Sequence, residues 1–357
     1  MPYTMKRLYI RSCLRIFPIM KKLLFSLLLI QVIPFFTHAQ VYSKKEPLAH
    51  TFSIVARDEK TGDMAVAVQS HWFGVGTLVP WVEAGVGVVA TQSFVNKSYG
   101  PKALGLLKRG FTPQQALDSL LKADSSREMR QVAILDTKGN VASFTGAKCI
   151  QVAKHIKGKN FSVQSNMMLG DSVCEFMKKA FLSSAQLPFV ERILLALEAG
   201  QAAGGDIRGM QAAAILVVPG RFTPPWEKTI IDLRVDDSPQ PLEELRRLYN
   251  MQLAYDHMNS GDLAYEKMNN LNLANEKKDI TEAMNEYNAA MRLFPENLEM
   301  QFWTAVTLAN NKQMSKALPM FKKIFVRNKN WKELFRRLEP AGMLTISKEE
   351  LQMVLSL

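Results

Sequence analysis

The sequence predicts an α+β protein: a four-layer αββα sandwich of two largely antiparallel sheets between paired helices, followed by a smaller all-α domain. Three observations predict it. Short runs rich in valine and alanine come in pairs, several joined by turns of hairpin size rather than by βαβ crossovers. Pairs of segments with helical spacing alternate with those strand pairs, so both outer faces of the sheets gain cover. Near residue 250 glycine and β-branched residues give way to Leu, Asn, Met, Lys and Glu.

In chain order, residues 51–57 and 64–69 read as strands around the turn Lys60-Thr61-Gly62-Asp63, with a third strand at 85–91. Helices follow at 98–108 and 112–123, the second with Thr112 as N-cap and Pro113 in its first turn. Strands at 131–136 and 141–145 flank Lys138-Gly139-Asn140, a hairpin signal. A strand at 161–165, helices at about 171–182 and 188–199, and strands at 211–218 and 229–235 complete the sandwich. Beyond 250, Ala283 and Ala317 lie 34 residues apart, as do Tyr287 and Phe321, and Pro295-Glu296-Asn297 marks a turn. That period, with small and aromatic positions one helical turn apart, is a tetratricopeptide signature, giving two repeats at 264–297 and 298–331. Two repeats bury little surface alone, so the array is expected to dock on the first domain or on a protein partner.

The chain has 357 residues, 47% of them hydrophobic, and a formal net charge of +12. Residues 1–39 carry Lys6, Arg7, Arg11, Arg15, Lys21 and Lys22 and no acidic residue, so half the excess sits at one end. From Met20, two lysines precede an apolar run over 23–36, and Thr37-His38-Ala39 ends it before Gln40. This is the pattern of a secretory signal peptide, with 1–19 an upstream extension. Gln31 and Pro34 interrupt the run, which disfavours a permanent anchor; the membrane is a partner only if this segment stays uncleaved. The expected division is 1–39 signal segment, 40–50 linker or propeptide, 51–250 sandwich and 251–357 helical domain, in an exported protein, periplasmic or secreted. Without 1–39 the chain is near charge balance, so nucleic acid is not an expected partner. A basic cluster between Lys316 and Arg337 is read as a solvated helix face or a surface for an acidic partner. Removing 1–39 also removes Cys13, and Cys149 and Cys174 are read as two buried thiols or a pair. No zinc-like Cys/His spacing appears, and neither metal nor organic cofactor is expected.

Phosphate-binding loops, nucleophile elbows and H-E-x-x-H are all missing from the sequence. Polar residues instead gather at strand ends: Gln69-Ser70-His71, Thr91-Gln92-Ser93, Gln164-Ser165-Asn166, and Asp206-Ile207-Arg208 before a later strand. Singly these are ordinary turn chemistry; together they suggest a polar site where sheet ends converge.

The segments His50-Thr51-Phe52-Ser53-Ile54-Val55-Ala56-Arg57-Asp58, Ser98-Tyr99-Gly100-Pro101, Glu198-Ala199-Gly200-Gln201-Ala202-Ala203-Gly204-Gly205-Asp206 and Ile231-Asp232-Leu233-Arg234-Val235-Asp236-Asp237 resemble the bacterial domain of unknown function 1028. The resemblance spans about residues 51–248. It implies the αββα fold of the N-terminal-nucleophile (Ntn) hydrolase superfamily. Such enzymes attack an amide carbonyl with the hydroxyl or thiol of the mature chain's first residue, whose α-amine titrates near 7.7–8.0 and serves as base. Thr51 is the expected nucleophile and Ser53, facing the same side of the strand, the second choice. Ser70, His71, Thr91, Ser93, Asn166, Asp206 and Arg208 are the expected pocket or oxyanion residues, with Asp206–Arg208 alternatively a structural ion pair. Signal cleavage before Gln40 would leave eleven residues ahead of Thr51, so this chemistry requires a second cut at His50-Thr51. The expected activity is hydrolysis of a C–N amide bond in a small or peptide-like substrate; the assembly state is left open, with a homo-oligomer one of the states the resemblance admits. The competing expectation is a non-catalytic scaffold whose repeats recruit a protein or cell-wall partner.

Overall fold

The computed structural model describes residues 47–270 and 280–357. The signal segment, Cys13, most of the 40–50 linker and part of the first expected repeat lie outside the described residues. Leu48–Leu357 forms one compact unit.

Strands in chain order are β1 (Leu48–Ala49), β2 (Thr51–Arg57), β3 (Met64–Ser70), β4 (Pro80–Glu83), β5 (Gly87–Phe94), β6 (Arg130–Asp136), β7 (Val141–Thr145), β8 (Lys154–Gly158), β9 (Phe161–Ser165), β10 (Ala212–Val218) and β11 (Ile231–Val235). The helices of this part are α1 (Tyr99–Lys108), α2 (Pro113–Lys122), α3 (Val173–Ser183) and α4 (Phe189–Ala202). One sheet runs β1-β5-β6-β7 with β4 also on β5; the other runs β11-β10-β3-β2-β9-β8. Every strand pairing is antiparallel. The expected elements recur with ends shifted by a few residues. Thr112 caps α2 as read, in a capping box with Gln115. Three strands escaped the sequence reading: β1, of two residues; β4, which opens with proline; and β8, whose Lys-His-Ile-Lys-Gly is polar and half-buried as an edge strand permits.

Alternation along the strands builds the layers. Phe52, Ile54 and Ala56 of β2 face Cys174, Met177, Leu194 and Leu197 of α3 and α4, while Val55 faces inward between the sheets. Val88 and Ala90 of β5 meet that inner layer; Val89, with Val132 and Ile134 of β6, packs under α1 and α2. Each fully buried Val, Leu or Phe contributes roughly 1.5–3 kcal/mol, so three such layers supply most of the driving force.

α5 (Pro241–Asn270) lays Leu242, Leu245 and Tyr249 against the β2-bearing sheet's helical layer, and Arg246 bridges Glu191 and Glu198 of α4 at 2.8 and 2.6 Å. The composition shift at 250 falls inside this continuous helix. α6 (Thr281–Leu293), α7 (Leu298–Asn310), α8 (Met314–Arg327), α9 (Asn330–Leu338) and α10 (Lys348–Leu355) follow. Ala283, Tyr287, Ala317 and Phe321, the residues of the 34-residue spacing, are all buried. The basic cluster is partly neutralised, since Arg336 and Arg337 pair with Glu333 and Arg327 with Glu296. Among the described residues no helix is long and apolar enough to cross a membrane.

Candidate active site

The space between the two sheets divides in two. One part is closed by Val55, Val66, Val68, Ala214 and Leu216 against Val88, Ala133 and Leu135. The other is polar and equally buried: Thr51, Ser53, Gln92, Gln131, Ser162, Gln164 and Asn166 are all 0% exposed. By alternation, Thr51 and Ser53 share the inward face of β2 with Val55, Gln92 that of β5 with Ala90, and Gln131 that of β6 with Ala133.

Buried amides must be paired, and here they are paired with each other. Gln131 Nε2 donates to Thr145 Oγ1 at 2.8 Å and to the Ser165 carbonyl at 3.0 Å. Its Oε1 therefore accepts, from Gln92 Nε2 at 2.6 Å and Asn166 Nδ2 at 2.8 Å. Asn166 Oδ1 in turn accepts from His50 Nδ1 at 2.7 Å, which leaves His50 Nε2 bare and without a partner. Burial lowers the His50 pKa, the Asn166 bond opposes that shift, and the Arg208 charge adds to it, so the neutral ring is favoured.

The two expected nucleophiles differ sharply. Ser53 Oγ donates to Gln92 Oε1 at 2.6 Å and accepts from Gln164 Nε2 at 2.7 Å, so its proton is committed to an amide and no base adjoins it. Thr51 Oγ1 is buried and has no hydrogen-bond partner, although the Thr51 backbone carbonyl is fixed by the Asn166 N–H at 3.1 Å. Immediately before it, the His50 carbonyl accepts from Ser70 Oγ at 2.7 Å and from Arg208 Nη2 at 2.9 Å. Two donors on one peptide oxygen polarise that carbonyl as an oxyanion hole does.

Asp206, whose side chain is fully buried, holds Arg208 through Nε–Oδ1 at 3.0 Å and Nη2–Oδ2 at 2.7 Å, so the ion pair and the contact to the site coexist. The loop that presents them depends on Gly204, Gly205 and Gly209, all at positive φ (115°, 57° and 106°). His71 is half-buried; its N–H donates to Asp206 Oδ2, and it supports the ion pair rather than facing the His50 carbonyl. Thr91 shares the opposite face of β5 with Val89, under α1 and α2. Ser93 is held at φ 71°, opposite Ala49 in the β1–β5 register. Thr91 Oγ1 and Ser93 Oγ are buried and without partners. Of the expected residues, the structure thus gathers Thr51, Ser53, Ser70, Asn166, Asp206 and Arg208. It adds His50, Gln92, Gln131 and Gln164; Gln92 and Gln164 stood in the strand-end clusters of the sequence, while Gln131 carried no such mark.

Both Cys149 and Cys174 are free and buried, and burial pushes the Cys174 thiol up to about 11, far from a thiolate at neutral pH. Among the described residues no group of three or more His, Cys, Asp or Glu side chains is arranged to hold a metal ion. Two open cavities, of about 650 and 450 Å³, lie elsewhere, one beside Trp81 and Phe222 and the other beside Tyr99 and Asp124; neither is lined by Thr51. With Ala49 and His50 in place the Thr51 site is closed.

The family described as "Family of unknown function (DUF1028)" matches residues 51–245. The chain belongs to this family. A crystal structure of a DUF1028 protein from Silicibacter pomeroyi is similar at 32% sequence identity and a TM-score of 0.51, covering 56% of this chain and 88% of that one. The ancestral β-subunit Anbu of Yersinia bercovieri is a more distant neighbour, at 13% identity and a TM-score of 0.28, over 57% of this chain and 96% of that one. No curated protein matches the chain. The family match begins at Thr51, the residue whose hydroxyl stands unpartnered beside the polarised carbonyl.

Proposed function

We propose that the chain is an Ntn-type amidohydrolase that matures by cutting itself at His50-Thr51, and that Thr51 is its nucleophile. The observation that carries this reading is the His50 carbonyl, gripped by Ser70 and Arg208 next to the free hydroxyl of Thr51. Thr51 Oγ1 adds to the His50 carbonyl carbon, and the developing oxyanion is stabilised by the Ser70 hydroxyl and the Arg208 guanidinium. The C–N bond to Thr51 breaks, its nitrogen takes the hydroxyl proton, and the His50 acyl group is left as an ester on Oγ1. Water hydrolyses that ester, releasing a peptide that ends in the His50 carboxylate and restoring the hydroxyl beside a free α-amine. That amine then takes the Thr51 hydroxyl proton as Oγ1 attacks the amide carbonyl of a substrate; the substrate's amine leaves with that proton, and water hydrolyses the acyl ester left on Oγ1.

In this reading the two sheets and their helical layers are an Ntn αββα sandwich, and α6–α8 with the end of α5 are tetratricopeptide-like. The burial of Ala283, Tyr287, Ala317 and Phe321 supports the repeats. Export follows from the signal-like 1–39 segment. The scaffold reading has its own support in the closure of the uncut site and in Lys322, Lys323 and Lys329, exposed on and just after α8, where an acidic partner would meet them.

Separate Thr51→Ala and Ser53→Ala substitutions test the assignment. Thr51→Ala is expected to stop the cut and all amide hydrolysis, while Ser53→Ala keeps the cut. Hydrolysis that survives in both variants would remove Thr51 from the mechanism.

A further inference from the structure

Residues 48–50 enter the site in a particular way. β1 pairs antiparallel with β5, Leu48 opposite Phe94 and Ala49 opposite Ser93. The neighbouring strand β4 covers the same edge of β5 only as far as Ala90, and β6 covers the other edge. Departure of the segment ahead of Thr51 therefore uncovers the backbone of Ser93 and Phe94, a short free strand edge that ends beside the Ser70–Arg208 cradle. Unpaired backbone at a sheet edge is a template for an added strand. Ser93 holds φ 71° there, a conformation a non-glycine residue keeps only where its surroundings fix it.

The two residues before the cut are also specified. Ala49 is fully buried and belongs to the intersheet apolar cluster with Val68, Val79, Val95 and Ala212. A core at native packing density leaves no room for a larger side chain. His50 is 1% exposed; its ring donates to Asn166 Oδ1 at 2.7 Å and meets the Phe94 ring edge-on, with centroids 5.7 Å apart. Asn166 is fixed as an acceptor by its own donation to Gln131, and Arg208 stands nearby, so the slot suits a neutral planar group with an N–H donor and disfavours a cation.

We propose, building on the self-cutting reading above, that residues 48–50 are a built-in image of the substrate. The mature protein takes an extended peptide acyl segment that adds to the freed edge of β5. It prefers a small apolar residue second from the scissile bond and a neutral planar donor, imidazole or carboxamide, next to it. The bond cleaved is the amide on the carboxyl side of that planar residue, with water as co-reactant.

The test uses the self-processed full chain and coumarin amides of acetylated peptides. Acetyl-Leu-Ala-His and acetyl-Leu-Ala-Gln amides are expected to be cleaved with similar kcat/KM. Replacing Ala by Trp, His by Lys, or trimming to acetyl-His amide each lowers kcat/KM by about tenfold or more, a change of about 1.4 kcal/mol in transition-state binding. Equal rates on all of these, or faster cleavage of acetyl-His amide than of the tripeptide, overturn strand addition while leaving the amidohydrolase reading intact. A chain that never exposes Thr51 and cleaves none of them overturns the reading beneath it as well; a chain that exposes Thr51 and cleaves none overturns the peptide proposal alone.

Discussion

The two halves of the intersheet layer are equally dry and are held together by different physics. In the apolar half, Val66, Val68 and Leu216 contribute through area and dispersion, which tolerate small errors of position. In the polar half, Gln92, Gln131, Gln164 and Asn166 contribute only if each donor meets its acceptor, because an unpaired buried amide costs about 1–3 kcal/mol. The polar half therefore behaves as a jig. It fixes the Thr51 carbonyl, the Asn166 amide and the His50 ring, and leaves Thr51 Oγ1 and His50 Nε2 outside the pairing. The unpaired polar atoms sit where the network stops.

Substitutions in the two halves should separate these modes. Gln131→Leu removes the acceptor of two amides and the donor to Thr145 and Ser165 at once, so it is expected to destabilise by about 3–5 kcal/mol in chemical denaturation. A loss under 1 kcal/mol would mean that the seam is not a tight network. Ser70→Ala takes one donor from the His50 carbonyl and should slow the self-cut by roughly 100-fold with little change in stability, since its main bond is to that oxygen. An unchanged rate, followed by mass spectrometry of freshly made chain, would remove Ser70 from the cradle. Val66→Ala in the apolar half should cost about 2 kcal/mol and leave the cut untouched. If it also stops the cut, the two halves are not separable.

The smallest effect concerns acid. Among the described residues of the seam itself there is no carboxylate, whereas Asp124, on the α1–α2 side, is half-buried against Arg130 and Tyr99. Burial alone would raise it, but the bonds from Arg130, the Ser126 N–H and Tyr99 prevail and hold the carboxyl near 2. Because the folded value lies below the unfolded one near 3.9, the stabilisation is full above about pH 4 and fades as pH falls toward 2. Asp124→Asn should thus lower stability by about 2 kcal/mol at pH 6, with the gap to the parent chain closing between pH 4 and 2. A gap constant over that range would place the charge dependence elsewhere.

Much of this architecture was legible in the chain. The Met64–Gln69 run, the Thr112-Pro113 cap and the Lys138-Gly139-Asn140 turn are local signals, and local geometry obeyed them. β1 and β4 were not legible, because two residues or a proline-led edge strand gain their identity from the neighbour they pair with. The same holds in the site. Thr51, Ser70 and Arg208 stood out as polar residues at strand ends, but Gln131 looks like an ordinary strand residue until antiparallel pairing brings it together with the inward Gln92 and Gln164. The sequence ranked Thr51 ahead of Ser53 only by its place at the opening of the strand; how differently the two hydroxyls are bonded was invisible there. The choice rests on which hydroxyl the amides already hold.

The most direct test of the central claim is the intact mass and N-terminal sequence of the purified full chain, compared with those of its Thr51→Ala variant. The account predicts that the parent chain begins at Thr51 and the variant keeps His50 attached. A parent chain that stays joined at His50-Thr51, or a Thr51→Ala variant cut at the same bond, would contradict it.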